Sequence, residues 1–389
     1  MGTAQVQVTL PGNTLAGYGV FSGKTHIDGT ALFKSIENNH ILSEAGVGMS
    51  KPTRDFTVYI DNKDNASSGY AVANSGSTPA TIEMILRNNF GGIRERTTIT
   101  LQPGRHFAEF ANQRFPLTAP AGFEGSIEFI SDQDVTAVAL RYDNMNLDVT
   151  SQVFSTIPVL VNEASTILFF PQVADGAGYR TNFILINPLD EAATSVRLEF
   201  YQSDGTPLSL SIGGVPHTNF DLALDARGVA RLLTDGTSAD LRVGWVKVTS
   251  RTRILGSSIF QIRAGGRIVS EAGVGASPLA QHLVAYVESV NSAWSGLAIC
   301  NPSDMTATLT LNLRRSTGEI FATVSEDLPP GGHLAKFFTL PTTPPWFTPA
   351  GDFEGILEVI ATQPVSAVAL RYDNLEHDVF ATLPVVILR

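Results

Sequence analysis

Short runs in which apolar and polar residues alternate dominate the chain: SIEFIS (126–131), VRLEFYQ (196–202), WVKVTS (245–250), LTLNLRR (309–315) and GILEVIA (355–361). A period of two places successive side chains on opposite faces of a strand. The Val, Ile, Phe and Thr content suits a pleated, half-buried surface. Turn clusters separate the runs: NFGG (89–92), SDGT (203–206) and STGE (316–319). No stretch of helical length keeps a 3.6-residue apolar spacing, and the 34 glycines and 21 prolines suit strands joined by tight turns. The pattern predicts an all-β fold of hairpins, in sandwiches or barrels.

Two phrases recur at nearly constant distance. ILSEAGVG (41–48) returns as IVSEAGVG (268–275), with Ser43 and Ser270 227 residues apart. VTAVALRYDN (135–144) returns as VSAVALRYDN (365–374), with Arg141 and Arg371 230 residues apart. A shorter repeat lies inside the long one, because Asn74, Asn187 and Asn301 each close an apolar strand at intervals of 113 and 114. Three complete units follow, 51–161, 162–279 and 280–389. Each holds seven or eight short strands in about 110 residues, the size of an immunoglobulin-like sandwich, and each is long enough for its own core. GTALFKSIENNHILSEAGVG (29–48) aligns with GSSIFQIRAGGRIVSEAGVG (256–275), so residues 1–50 read as the second half of a sandwich. The short junctions VGMSKPTRD and VGASPLAQH predict a stiff row of units packed end to end.

FFPQVADGAGYRTNFILINP (169–188), followed later by SEAGVG, resembles the tandem β-sandwich repeats of secreted, multi-domain proteins of environmental bacteria. The resemblance spans essentially the whole chain and implies an extracellular location and a tandem architecture. It brings no catalytic motif. Units 51–161 and 280–389 depart from it by ending in RYDN instead of SEAGVG.

Composition narrows the function. Charged residues are only 16% of the 389, against roughly 25% in a typical globular chain, as is common in extracellular β-proteins. The net charge of −11 argues against a nucleic-acid partner, which needs a concentrated basic face. No apolar run is long enough to span a membrane, and no signal peptide is visible at the N-terminus. Cys300 is the single cysteine, which excludes an intrachain disulfide; its apolar setting in GLAICNPS reads as a small buried hydrophobe.

Candidate chemistry is sparse. RYDNMNLD (141–148) and RYDNLEHD (371–378) gather oxygen ligands that suit Ca²⁺, with Asp143, Asp148, Asp373 and Asp378 as carboxylates. The favoured reading is a hairpin turn, because RAGGR (263–267) and IENNH (36–40) hold the same place in the other units. The acidic loop DNKDNASSG (61–69) lacks the alternating spacing of a Ca²⁺ loop. The seven histidines are scattered; only His106 and His333 are equivalent, with Val229 in that place in the middle unit. No nucleophile–base or phosphate-cradling motif occurs, so no enzyme activity and no cofactor are expected. Trp294 and Trp346 lie in loop-like settings, where an exposed ring would stack on a sugar or anchor a protein and a buried one would plug its own unit. Trp245 reads as core. Val6, Val8, Leu10, Tyr18, Val20 and Phe21 have strand-like apolar spacing in the half-domain and mark it as an assembly surface. The expected function is that of an extracellular or cell-surface structural or adhesive repeat protein, self-associating through its N-terminal half-domain as a fibre or stalk. The alternative is a glycan- or protein-binding module acting through the loops near Trp294 and Trp346.

Overall fold

A computed structural model describes residues 3–4, 17–24, 27–38, 40–117, 122–148, 151–161, 164–291, 293–338, 346–348, 351–373 and 379–388. The chain is all-β. An N-terminal hairpin pairs β1 (Thr30–Glu37) with β2 (His40–Gly48). The next segment carries β3 (Thr53–Asn62), β4 (Ser67–Ala73), β5 (Ala80–Asn88), β6 (Ile93–Leu101), β7 (His106–Phe110), the four-residue helix α1 (Ala111–Arg114), β8 (Phe123–Asp143), β9 (Val153–Ile157) and β10 (Leu160–Val161). Then come β11 (Ser165–Asp175), β12 (Tyr179–Ile186), β13 (Ala193–Tyr201), β14 (Leu210–Ile212), β15 (Val215–His217), β16 (Asn219–Leu224), β17 (Val229–Leu233), β18 (Arg242–Ala264) and β19 (Arg267–Gly275). The last segment has β20 (Ala280–Val290), β21 (Ala293–Cys300), β22 (Ala307–Arg315), β23 (Ile320–Leu328), β24 (His333–Phe337), β25 (Phe353–Asp373), β26 (Val379–Leu383) and β27 (Val386–Ile387).

One long strand organises each complete unit. The first part of β8 pairs with β3 and β5, and its second part pairs with β4 and β9. β18 divides in the same way between β11 and β13, then β12 and β19. β25 divides between β20 and β22, then β21 and β26. The sequence pattern suggests two strands here, separated by the polar residues SDQD (131–134), SRTR (250–253) and TQP (362–364). The structure runs straight through them as a corner, where a strand changes sheet by bending. Polar side chains at the corner serve backbone groups that leave the ladder. Asp132 accepts the Thr81 N–H at 2.7 Å, and Thr362 Oγ1 accepts the Thr308 N–H at 2.9 Å.

The repeated asparagines have a structural cause. Asn74, Asn187 and Asn301 are fully buried. Each donates from its amide to carbonyls across the strand end: Asn74 to Thr78 and Leu101, Asn187 to Glu191 and Asp225, Asn301 to Met305, Leu328 and Pro329. A buried amide so satisfied replaces the ladder bonds that stop there.

The units do not follow one another as a row packed end to end. β2 touches both β9 and β26, and β19 touches the same two strands, so the terminal strands of all four segments close a ring. The apolar core crosses unit boundaries as well. Ile184, Ile186, Val229, Leu255 and Ile259 join the core built around Phe56, Ile82 and Phe129, while Phe380 packs with Phe260, Ile262 and Ala272. The N-terminal residues also differ from expectation. GTALFKS forms β1, but GYGVFSG (17–23) is irregular: its three glycines disfavour a strand, and among the described residues no strand pairs with it.

The inter-unit junction as candidate functional site

The ring is held where the two SEAGVG phrases meet β9 and β26 and the arginines of the two RYDN phrases. Ser43 of the first SEAGVG accepts the Phe154 N–H at 2.9 Å and donates to the Phe154 carbonyl at 3.0 Å. Ser270 of the second accepts the Phe380 N–H at 3.0 Å. Thr156 and Thr382 both donate to the Gly273 carbonyl. The glycines permit this approach. A Cβ at Gly273 would stand 1.9 Å from the Thr156 carbonyl oxygen, and one at Gly46 would stand 2.1 Å from that of Thr382. No side chain fits at either place.

The charged residues of the two phrases are also partners. Arg141, of the first RYDN, meets Glu271 of the second SEAGVG at 2.6 Å, Asp143 at 2.7 Å and Asp61 at 3.1 Å. Arg371, of the second RYDN, meets Glu44 of the first SEAGVG, Glu288, and Asp373 at 2.8 Å. Lys34 adds a cation to this second cluster, 3.2 Å from Glu44 and 3.6 Å from Asp373. Both arginines and both glutamates are buried. A lone buried guanidinium would be very costly, and three hydrogen-bonded carboxylates make it tolerable. Burial works against the charge of Arg141, but Glu271, Asp61 and Asp143 outweigh it and hold its pKa well above the ordinary arginine value. The same balance raises Arg371, through Glu44, Glu288 and Asp373.

The clusters differ in detail: Lys34 stands on Glu44 where Gln261 stands on Glu271, and the hydroxyl of Ser155 has no equivalent at the second cluster. Ser155, opposite Arg141 on β9, donates to Glu271 Oε1 at 2.6 Å. Ala381 holds that place opposite Arg371 on β26, and among the described residues Glu44 Oε1 is buried with no hydrogen-bond partner.

The residues singled out in the sequence fall in several places. Asp143 and Asp373 face arginines, and Asn144 takes φ +59° at the start of the segment that joins β8 to β9. Asp148 accepts the Ser151 hydroxyl at 3.2 Å, and Asp378 lies outside the described residues. Among the described residues no group of three or more His, Cys, Asp or Glu side chains is placed to hold a metal ion. Trp346 is a packed residue and not an open stacking platform: it stacks on Phe338, donates to Glu326 at 2.9 Å, and is 7% exposed. Trp294 is half-buried in β21 and paired with Tyr372 on β25. Tyr18, Val20 and Phe21 are exposed, with Tyr18 edge-on to His106; Val6, Val8 and Leu10 lie outside the described residues. Trp245 is buried and donates across the unit boundary to the Gly331 carbonyl at 2.8 Å. Cys300 is fully buried, which pushes its thiol pKa up and leaves it protonated.

Glu44, Glu271, Arg141 and Arg371 were the residues to find. Their signal was visible as opposite charges in two phrases that alternate along the chain. No protein-family model matches the chain, and no curated protein matches it. Among the described residues no helix is long and apolar enough to cross a membrane.

Proposed function

We propose that the protein is a non-enzymatic structural repeat protein of the cell exterior, with a structural or adhesive role. Its sandwich-type units, immunoglobulin-like in size, are fastened into a single rigid body. The observation that carries this reading is the pairing of Arg141 with Glu271 and of Arg371 with Glu44. The most strongly repeated residues of the chain are spent on joining units, which is what a scaffold needs. The low charge content supports an exterior location.

Self-association through the N-terminal hairpin belongs to the same reading. Among the described residues β1 pairs only with β2, whereas the equivalent part of β18 pairs with both β12 and β19. With no described strand on it, the other edge of β1 invites strand addition, and Phe33 and Ile36 of this strand are exposed. Light scattering across a concentration series tests this. Oligomers that the Phe33→Lys/Ile36→Lys variant abolishes are expected, and a monomer at every concentration overturns the assembly half of the proposal.

A further inference from the structure

The two arginine clusters are built alike, but their surroundings are not. Beside Arg141 lies a pocket of about 240 Å³ between the first and second complete units. Arg180, Arg231, Arg263 and Arg267 line it together with Arg141. None of the four has a counterpart at the Arg371 cluster. By hairpin register, Gln261, Arg263 and Arg267 correspond to Lys34, Ile36 and His40. Arg180 and Arg231 stand on β12 and β17, strands that the N-terminal hairpin does not have.

These four arginines are poorly compensated. Arg141 already engages Asp61, Asp143 and Glu271. Among the described residues Arg231 comes no nearer to a carboxylate than 3.8 Å, at Asp61, and its Nε is buried without an acceptor. Arg180 donates its Nε to the side-chain Oε1 of Gln261 at 2.6 Å, and Arg263 donates Nη2 to the Gly266 backbone carbonyl at 3.0 Å. Among the described residues no ion pair reaches Arg180, Arg263 or Arg267. Lys63, at the rim, is matched by Glu124. Five guanidinium groups thus face four carboxylates, those of Asp61, Asp64, Asp143 and Glu271, and one positive charge is left over. Burial, and repulsion from Arg263 and Arg231, push the pKa of Arg180 down to about 10, as expected where cations are gathered without a partner.

We propose that this pocket binds a singly charged oxyanion, a carboxylate or sulfate ester carried on a small polar group such as a sugar. The planar guanidinium donors suit either head group, the surplus of one charge matches a monoanion, and the volume exceeds that of the bare head group. The oxyanion would supply the acceptor that Arg231 Nε lacks. This site is independent of the assembly edge on β1.

Calorimetric titration of the full chain with D-glucuronate and with D-glucose 6-sulfate, against D-glucose as the neutral probe, tests the proposal. One-to-one binding of at least one charged sugar at a Kd of about 1 mM or tighter, weakening with salt, and none of glucose, is expected. Which of the two binds identifies the head group. Arg231→Gln and the exposed pair Arg263→Gln/Arg267→Gln should each weaken binding about tenfold or more. Arg231→Gln should not lower the melting temperature of the unliganded protein. The exposed pair keeps the test decisive if Arg231→Gln fails to fold. No heat from either charged sugar, or affinity unchanged in the folded variants, would overturn the proposal.

Discussion

Repeated sites in this chain differ at single side chains, and internal repetition makes the effects testable. Among the described residues Glu44 Oε1 is buried without a donor, whereas Glu271 Oε1 has the Ser155 hydroxyl. Ala381→Ser places a hydroxyl where Ser155 has one, so it should stabilise the protein by about 1 kcal/mol, read as a higher denaturant midpoint at unchanged slope. A lower midpoint would mean that the Ala381 site has no room for the added oxygen. His333 gives a second prediction. It lies buried between units, its ring nitrogens 3.1 Å from Gln172 Oε1 and 3.1 Å from Ser203 Oγ. Burial pushes its pKa down from 6.5 to about 4. The folded protein therefore keeps the ring neutral where the unfolded chain would protonate it. The stability this contributes is full above pH 6.5 and is lost as the pH falls through the interval to about 4, roughly 3 kcal/mol in all. Chemical denaturation between pH 7 and 4 should show this slope, and His333→Gln should flatten it. An unchanged slope in the variant would assign the acid sensitivity to other groups.

At the scale of elements, the glycines of SEAGVG are spaced for backbone contact. Gly273 faces a carbonyl oxygen that a Cβ would meet at 1.9 Å, while Gly275, two residues on, has only ordinary contact with Pro158 at 3.7 Å. Backbone cannot rotate out of the way as a side chain can. Gly273→Ala should cost about 3 kcal/mol or more, whereas Gly275→Ala should stay within about 0.5 kcal/mol of the parent. Equal effects would show that β9 and β19 do not approach as closely as described. The strands themselves were legible in the sequence, because alternation and turn residues are local signals. Asn74, Asn187 and Asn301 were legible as strand ends through their spacing. The corner at 131–134 was not, since a bend that carries polar residues has the same composition as a turn. The partners of Arg141 and Arg371 were legible only as opposite charges in the two phrases, not as contacts. Charged residues beside a hairpin turn read as solvated, and only tertiary packing brings Glu271 to Arg141 across 130 residues of chain.

At the scale of the whole molecule, separable units give way to a shared interior. From length alone, each unit of about 110 residues could fold by itself. In the structure, Ile184, Ile186, Val229, Leu255 and Ile259 of the second unit are buried in the core of the first, and Phe260 and Ile262 pack against Phe380 of the third. Cutting out residues 162–279 would expose both faces and leave Glu271 without Arg141. Polar links crossing the same boundaries add to the coupling. Arg227 meets Glu128 at 2.9 Å between the first and second units, and Trp245 donates to Gly331 between the second and third. Unfolding one unit therefore uncovers apolar surface on its neighbours, which couples their transitions instead of letting each melt alone. The full chain should unfold in one calorimetric transition whose van't Hoff and calorimetric enthalpies agree. The 162–279 fragment should be less stable than the whole and bind hydrophobic dye. Arg141→Ala, which strands Glu271 and Asp61 as buried charges, should cost about 3–5 kcal/mol and lower the single transition as a whole. Two resolved transitions in the parent, only one of them moved by Arg141→Ala, would show that the junction joins units without making them one cooperative body.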